Sequence, residues 1–336
     1  MTTLVGDIET DGLDPSVIWC FVTKCIETEE VLLWTKPEGL QAYLGKHESI
    51  VFHNGIGFDV PILERLWNIS FSGIQVKDTL VMSRLADPQR DGHSLAYWGE
   101  LLGHPKGDYE DWTQYTPEMV EYCKQDVRVT EQVYQRLLCE LDSFGSESIL
   151  LEHQVQTIVQ EQVRNGWLLD HDKARDLVAG LKEESYTLEE EVQRVFIPLP
   201  TFVKEVRPKI KKDGSMSIVG LKFLGDQWTQ VAGDFSRIDW PIFNLGSRQQ
   251  IGRYLKHFGW RPKTFTETGH AIVSEDILKA VKGIPEASLI ASYLLVGKRI
   301  AQVSSWLSAA NPETQRVHGY VNTNGAVTGR MTHSKP

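Results

Sequence analysis

The sequence predicts an α/β fold in two parts: a mixed sheet with flanking helices, then a mainly helical half. Three observations predict it. Strand-like and helix-like patterns alternate up to about residue 140, a small polar run (DSFGSES) interrupts them near residue 142, and long helical periodicities dominate beyond it. The chain has 336 residues, enough for about two domains.

The elements follow in order. TLVGDIE is a short apolar strand, and WCFVTKCI and EVLLWT read as two more that meander with it. PEGLQAYLGKH reads as a helix, and ESIVFHN as a β-branched strand ending at Asn54-Gly55. DVPILERLWN is a helix with Pro61 in its first turn, where a missing N–H is tolerated. VKDTLVMSRL and HSLAYWGELLG are helical stretches. Thr116 and Pro117 form an N-cap and N1 pair that opens the long helix PEMVEYCKQDVRVTEQVYQRLLCEL. After the polar run, LLEHQVQTIVQEQVRNG ends at Gly166, and HDKARDLVAGLKEESYTLEEEVQRVF is a second long helix. Residues 197–245 read as irregular, rich in Pro, Gly and Trp. SRQQIGRYLKHFG and SEDILKAV are short helices with Ser N-caps, and IASYLLVGKRIAQVSSWLSAA is a longer one. VHGYVNTNGAVTGRMTHSKP is extended, with turns at Asn324-Gly325 and Thr328-Gly329.

The 41% hydrophobic and 24% charged content is ordinary for a soluble globular protein. No run of about 18 apolar residues would span a membrane, and the N-terminus lacks the pattern of a secretory signal. Cys20, Cys25, Cys123 and Cys139 form no CxxC pair, which fits a reduced, intracellular protein. The net charge of -10 argues mildly against a nucleic-acid partner. Local patches decide, however, and KEVRPKIKK (204–212) carries five cations in nine positions.

Three acidic pieces attract attention. Asp7 and Glu9, two apart on a strand, share one face. Asp59 opens a helix, where the macrodipole favours a carboxylate. Tyr122 and Asp126, four apart, share one helix face. Each has a bland reading: a solvated strand edge, a helix-start charge, a core tyrosine beside a solvated aspartate.

Their order is more specific. DxE on the first strand, NxxxFD at a strand-to-helix turn and YxxxD on a late helix resemble the three motifs of the DEDD (DnaQ-like) proofreading exonucleases, in the tyrosine branch. Asp78, Thr79, His93 and Leu95 resemble the linking segments of that superfamily, and the likeness covers roughly residues 4–140. It implies an RNase H-like sheet and 3′→5′ hydrolysis of DNA. The catalytic set would be Asp7, Glu9, Asp59, Tyr122 and Asp126. Asp7, Glu9, Asp59 and Asp126 offer only carboxylates, which suits Mg²⁺ or Mn²⁺ rather than Zn²⁺. Two such ions about 4 Å apart serve phosphodiester hydrolysis. Asp7 would bridge them, Glu9 and Asp126 would complete one site, Asp59 would serve the second, and Tyr122 would orient the attacking water. Asn54, Phe58 and His93 would meet DNA.

The second half resembles the thumb of family A DNA polymerases, and its wording is nearest those of podovirus-type bacteriophages. EQVRNGWLLD matches the thumb opening, FNLGSRQQIGRYLKHFGW the FN-x-x-S-x-x-Q segment, and Thr328, Gly329 and Arg330 the T-G-R of the palm entry. The expected division is residues 1–141 for the exonuclease, 142–310 for the thumb and 311–336 for the start of the palm. The family's palm and fingers motifs are not in these residues. The expectation is therefore a fragment, or a split polymerase completed by a separate palm/fingers polypeptide. Lys204, Arg207, Lys209, Lys211, Lys212 and Arg330 would contact DNA phosphates. A thioredoxin-type processivity factor is a partner of some phage relatives, but the corresponding stretch here is short. Trp228, Trp240 and Trp260 read as small-core packing. The implied location is the cytoplasm of an infected host cell. Two rivals stand beside the proofreading reading: a non-catalytic DNA-clamping subunit, and an RNA-processing exonuclease of the same superfamily.

Overall fold

A computed structural model describes all residues except Met1, Lys106, Asp108, Ile218, Gly220 and Pro336, and does not cover the side chains of residues 227–229. The expectation for Trp228 therefore lies outside the described residues. The chain divides into two compact units, Met1–Leu168 with Ala310–Pro336, and Leu169–Ala309.

The first unit is built on β1 (Thr3–Thr10), β2 (Ile18–Cys25), β3 (Val31–Trp34), α1 (Leu40–Leu44), β4 (Ser49–Phe52), α2 (Asp59–Trp67), β5 (Gln75–Asp78), α3 (Thr79–Ala86), α4 (Leu95–Leu101), α5 (Pro117–Glu140) and α6 (Ser146–Asn165). The sheet order is β3-β2-β1-β4-β5. β1 runs antiparallel to β2 and parallel to β4, and β4 runs parallel to β5. This is the mixed α/β architecture the sequence predicts.

The alternation along β1 separates two cores. Leu4 and Ile8 join Phe21, Phe52, Leu40, Leu44, Ile62 and Leu63 under α1 and α2. Val5 joins Cys20, Val22, Trp98, Cys123 and Val127 under α3, α4 and α5. Each such buried Leu, Ile or Phe contributes roughly 1.5–3 kcal/mol. Gly6 lies between Leu4 and Ile8 on the first of these faces, where a Cβ would stand 2.7 Å from the Phe21 ring and 3.0 Å from Phe52. Asp7 and Glu9 share the Val5 face and therefore look toward α5.

Four local readings change. Gln75–Asp78 is a strand rather than helix: pairing with β4 overrides the helical pattern of the residues after it. α1 keeps only five residues, because Gly39 at φ 82 delays its start. The expected boundary near residue 142 is not where the compact units divide. α6 belongs to the first unit, where His153 Nε2 accepts from the Asp78 N–H at 2.8 Å. The segment after residue 310 also returns to that unit. β9 (Arg316–Val317) pairs with β6 (Trp167–Leu168), and Asn324 and Thr323 bond Glu152 and Gln156 of α6.

The second unit contains α7 (His171–Val195), α8 (Arg248–His257), α9 (Glu275–Lys279) and α10 (Glu286–Ala309). Phe196, Phe243, Tyr254, Leu255, Leu278 and Ile290 form its core. The stretch read as irregular contains a hairpin of β7 (Thr201–Val206) and β8 (Phe235–Asp239). Trp260 packs against the core, whereas Trp240 is 64% exposed and does not. No described helix is long and apolar enough to cross a membrane.

Candidate active site

β1 carries Asp7 and Glu9 past the end of its pairing with β4, which stops at Val5 opposite Val51. The chain leaving β4 turns at Asn54, held at φ 66, and enters α2 at Asp59. Beyond the last β1–β4 pair, the Ile8 N–H donates to Asp59 Oδ1 at 3.1 Å. The Asn54 turn is pinned from below by Asp78, whose carboxylate accepts from the Asn54 and Ile56 N–H groups at 2.9 and 3.1 Å. Asp78 also caps α3 by accepting from the Leu80 N–H. It is an organising residue rather than a lining one.

α5 supplies the opposite wall. Its buried stripe includes Met119, Cys123, Asp126, Thr130, Tyr134 and Leu137, so Asp126 lies on an otherwise largely apolar face. Lys24 on β2 pairs with Glu131 at 2.8 Å, fastening the helix to the sheet. Tyr122 is held edge-to-face against Trp112 and tilted against Tyr109, with ring centroids 5.7 and 5.8 Å away.

These elements enclose a cavity of about 450 Å³ lined by Asp7, Glu9, Asp59, Tyr122 and Asp126 together with Asn54 and Phe58. All five residues of the sequence-derived catalytic set thus meet in one place. Glu9, Asp59 and Asp126 are buried. Burial above all, with the charges of Asp78 and Asp126 adding, pushes Asp59 up to about 7 against the Ile8 hydrogen bond. Burial likewise raises Asp78, opposed by its backbone donors.

The remaining candidates fall elsewhere. His93 lines an adjoining cavity that shares Asp7, Asn54 and Asp126 with the first. Lys204, Arg207, Lys209, Lys211 and Lys212 are exposed on the second unit, in and after β7, and Arg207 approaches Asp234 at 3.7 Å. Arg330 is exposed in the first unit, with Nε donating to Thr328 Oγ1 at 3.1 Å.

Sequence reasoning missed two residues. His53 lines both cavities, with Nδ1 2.8 Å from Thr79 Oγ1. Cys123 donates its thiol to the Asp7 carbonyl at 3.2 Å and approaches Asp7 Oδ2 at 3.5 Å. Its ligand atom lies within 4.8 Å of those of Asp7 and Glu9. Its spacing, three residues before Asp126, was the available signal. Burial, with the nearby Cys20 thiol and the Asp7 and Glu9 charges, lifts Cys123 well above the ordinary thiol range. The thiol donates to Asp7, and the carboxylates around the cavity supply hard oxygen donors. Buried carboxylates around one cavity repel each other when ionised, and a hard divalent cation relieves that repulsion. The residues present fit such an ion.

The chain is 29% identical to a DNA-directed DNA polymerase of Escherichia phage T7 over 99% of its length, covering 62% of that relative. The figures are the same for the DNA-directed DNA polymerase of Enterobacteria phage T3. A DNA polymerase of Mycobacterium phage L5 is 22% identical, again over 99% of this chain and 55% of its own length. The chain thus spans less than two thirds of the curated relatives it matches. No family model matches it. Among solved structures, the POL domain of Pol1 from M. smegmatis, in complex with DNA primer-template and dNTP, superposes with a TM-score of 0.67 at 15% identity. That likeness covers 99% of this chain and 51% of the other, and establishes a polymerase-like fold.

Proposed function

We propose that this chain, which belongs with the family A DNA polymerases of phages T7 and T3, carries a metal-dependent 3′→5′ exonuclease in its first unit. Its role would be proofreading in phage DNA replication. One observation carries the reading: Asp7, Glu9, Asp59, Asp126 and Tyr122, from three separate elements, line one cavity.

The chemistry follows from the residues. Asp7, Glu9, Asp59 and Asp126 would hold divalent cations, Mg²⁺ or Mn²⁺, which supply charge stabilisation and a lowered water pKa when bound. Asp7, on the strand between the α2 and α5 walls, would be the central member of that set. Tyr122, clamped by Tyr109 and Trp112, is positioned to orient a water by its hydroxyl. A phenol with an intrinsic pKa of about 10 is an orienter rather than a full base at neutral pH. Phe58, Leu13 and Trp112 give the cavity apolar walls that suit an unpaired terminal base. The substrate would be a single-stranded or frayed 3′ end.

A 5′-labelled single-stranded oligodeoxynucleotide tests the reading. The protein should shorten it one nucleotide at a time with Mg²⁺ and leave it intact with chelator. Asp7→Ala combined with Glu9→Ala should abolish the activity. Undiminished shortening by that double variant would overturn the assignment. A catalytically silent wild type that still binds DNA would favour the clamping role instead.

A further inference from the structure

The second cavity of the first unit, about 540 Å³, lies against the same carboxylates from another side. It shares Asp7, His53, Asn54 and Asp126 with the first, but its other walls differ. Arg84, His93 and Ser94, together with Leu80, Leu95 and Ala96, take the place of Leu13, Phe58 and Trp112. The second cavity thus offers a guanidinium that the first lacks.

Arg84 lies in α3, and its Nε is buried with no hydrogen-bond partner. Among the described residues it has no ion-pair partner either. Its neighbour Arg90 also has an unmet Nε, but it pairs with Glu140 at 2.6 Å and stacks on the Trp98 ring at 4.4 Å. Arg90 therefore has a structural task that Arg84 lacks. An arginine that lines a cavity and has no ion-pair partner offers its guanidinium to an external acceptor.

His93 is held in place by a relay. The Trp98 indole N–H donates to Ser83 Oγ at 3.1 Å, and Ser83 Oγ lies 2.8 Å from His93 Nδ1. The serine oxygen, with one proton and two lone pairs, can serve both Trp98 and Nδ1, and it fixes the orientation of the His93 ring. Burial, and then the charges of Arg84 and Arg90, hold its pKa below the ordinary histidine value.

We propose that Arg84, with His93 beside it, grips the phosphodiester immediately upstream of the one cleaved, so that the strand passes from the Arg84 cavity across the carboxylates into the apolar one. This inference rests on the exonuclease reading above and makes Arg84 a positioning residue. A guanidinium suits a phosphate because its planar donors engage two oxygens at once. A second anchored phosphate would also fix the register of the scissile bond over Asp7 and Asp126.

The test uses single-stranded oligodeoxynucleotides of one sequence, with either a normal linkage or one neutral methylphosphonate at the second linkage from the 3′ end. Arg84→Ala should raise KM roughly tenfold with little change in kcat, and Arg84→Lys should recover part of the loss. The neutral linkage should penalise the wild type similarly and add nothing to Arg84→Ala. Matching melting temperatures would show that the variants are folded. If Arg84→Ala keeps the wild-type KM, or if the two penalties multiply, the subsite is overturned while the exonuclease reading stands. A wild type that hydrolyses neither oligonucleotide overturns the exonuclease reading, and the subsite with it.

Discussion

Asp59 Oδ1 accepts the Ile8 N–H at 3.1 Å, linking the start of α2 to the strand that carries Asp7 and Glu9. A single hydrogen bond thus ties two of the three acidic segments together, and it bonds a carboxylate that burial lifts from 3.8 to about 7. Without metal, folded Asp59 keeps its proton to about pH 7, while the unfolded chain releases it near pH 4. Between those values the folded state binds more protons, so stability falls as pH rises. Asp59→Asn removes this contribution. The melting temperature of Asp59→Asn relative to wild type should rise from pH 4 to pH 8 in chelator. Added Mg²⁺ at pH 8 should stabilise the wild type more than the variant. A flat difference across that range would contradict the assigned burial cost.

Cys123 sits against Asp7, and burial with its charged neighbours raises its thiol above the ordinary range. Cys123→Ala should cost about 1–2 kcal/mol through lost packing and a lost donor, read as a shift in the urea midpoint. Mg²⁺-dependent hydrolysis should persist within several-fold. Loss of activity with Mg²⁺ and recovery with a thiophilic ion in the wild type would instead make Cys123 a ligand.

Tyr122 is fixed by two aromatic neighbours that do not need its hydroxyl. Tyr122→Phe should keep the fold and KM and lower kcat by about tenfold or more. Single-turnover digestion of single-stranded DNA reads this directly, and an unchanged rate would remove the water-orienting role.

Gly6 explains why the first motif begins as it does. A methyl group there meets Phe21 and Phe52, which belong to the core under α1 and α2. Gly6→Ala should therefore destabilise the protein by about 1–3 kcal/mol, measured by denaturant unfolding.

The acidic set was legible because each member carries its own local signal. Asp7 and Glu9 alternate along a strand, Asp59 starts a helix, and Asp126 interrupts an apolar helical stripe. The meander and the long helices were legible for the same periodic reasons. What was not legible depends on distant partners. β5 is a strand because β4 lies beside it, and α6 joins the first unit because His153 meets Asp78. The polar run at 142–148 signalled a break in helix, and nothing local marks a division near residue 169. His53 and Arg84 have no pattern in sequence, and Cys123 offers only its spacing from Asp126; each acquires its place only when the elements converge. Trp240 misled because its size suggests a core, whereas its place just after the hairpin leaves it exposed.

Hydrolysis of a 3′ end at the carboxylate cavity would put one oxygen of water on each released phosphate. Digestion of single-stranded DNA in ¹⁸O-labelled water with Mg²⁺, followed by mass spectrometry of the products, reads this. The wild type should release deoxynucleoside 5′-monophosphates carrying one ¹⁸O, and the Asp7→Ala, Glu9→Ala double variant none. Intact DNA with the wild type, 3′-monophosphate products, or equal release by the double variant would contradict it.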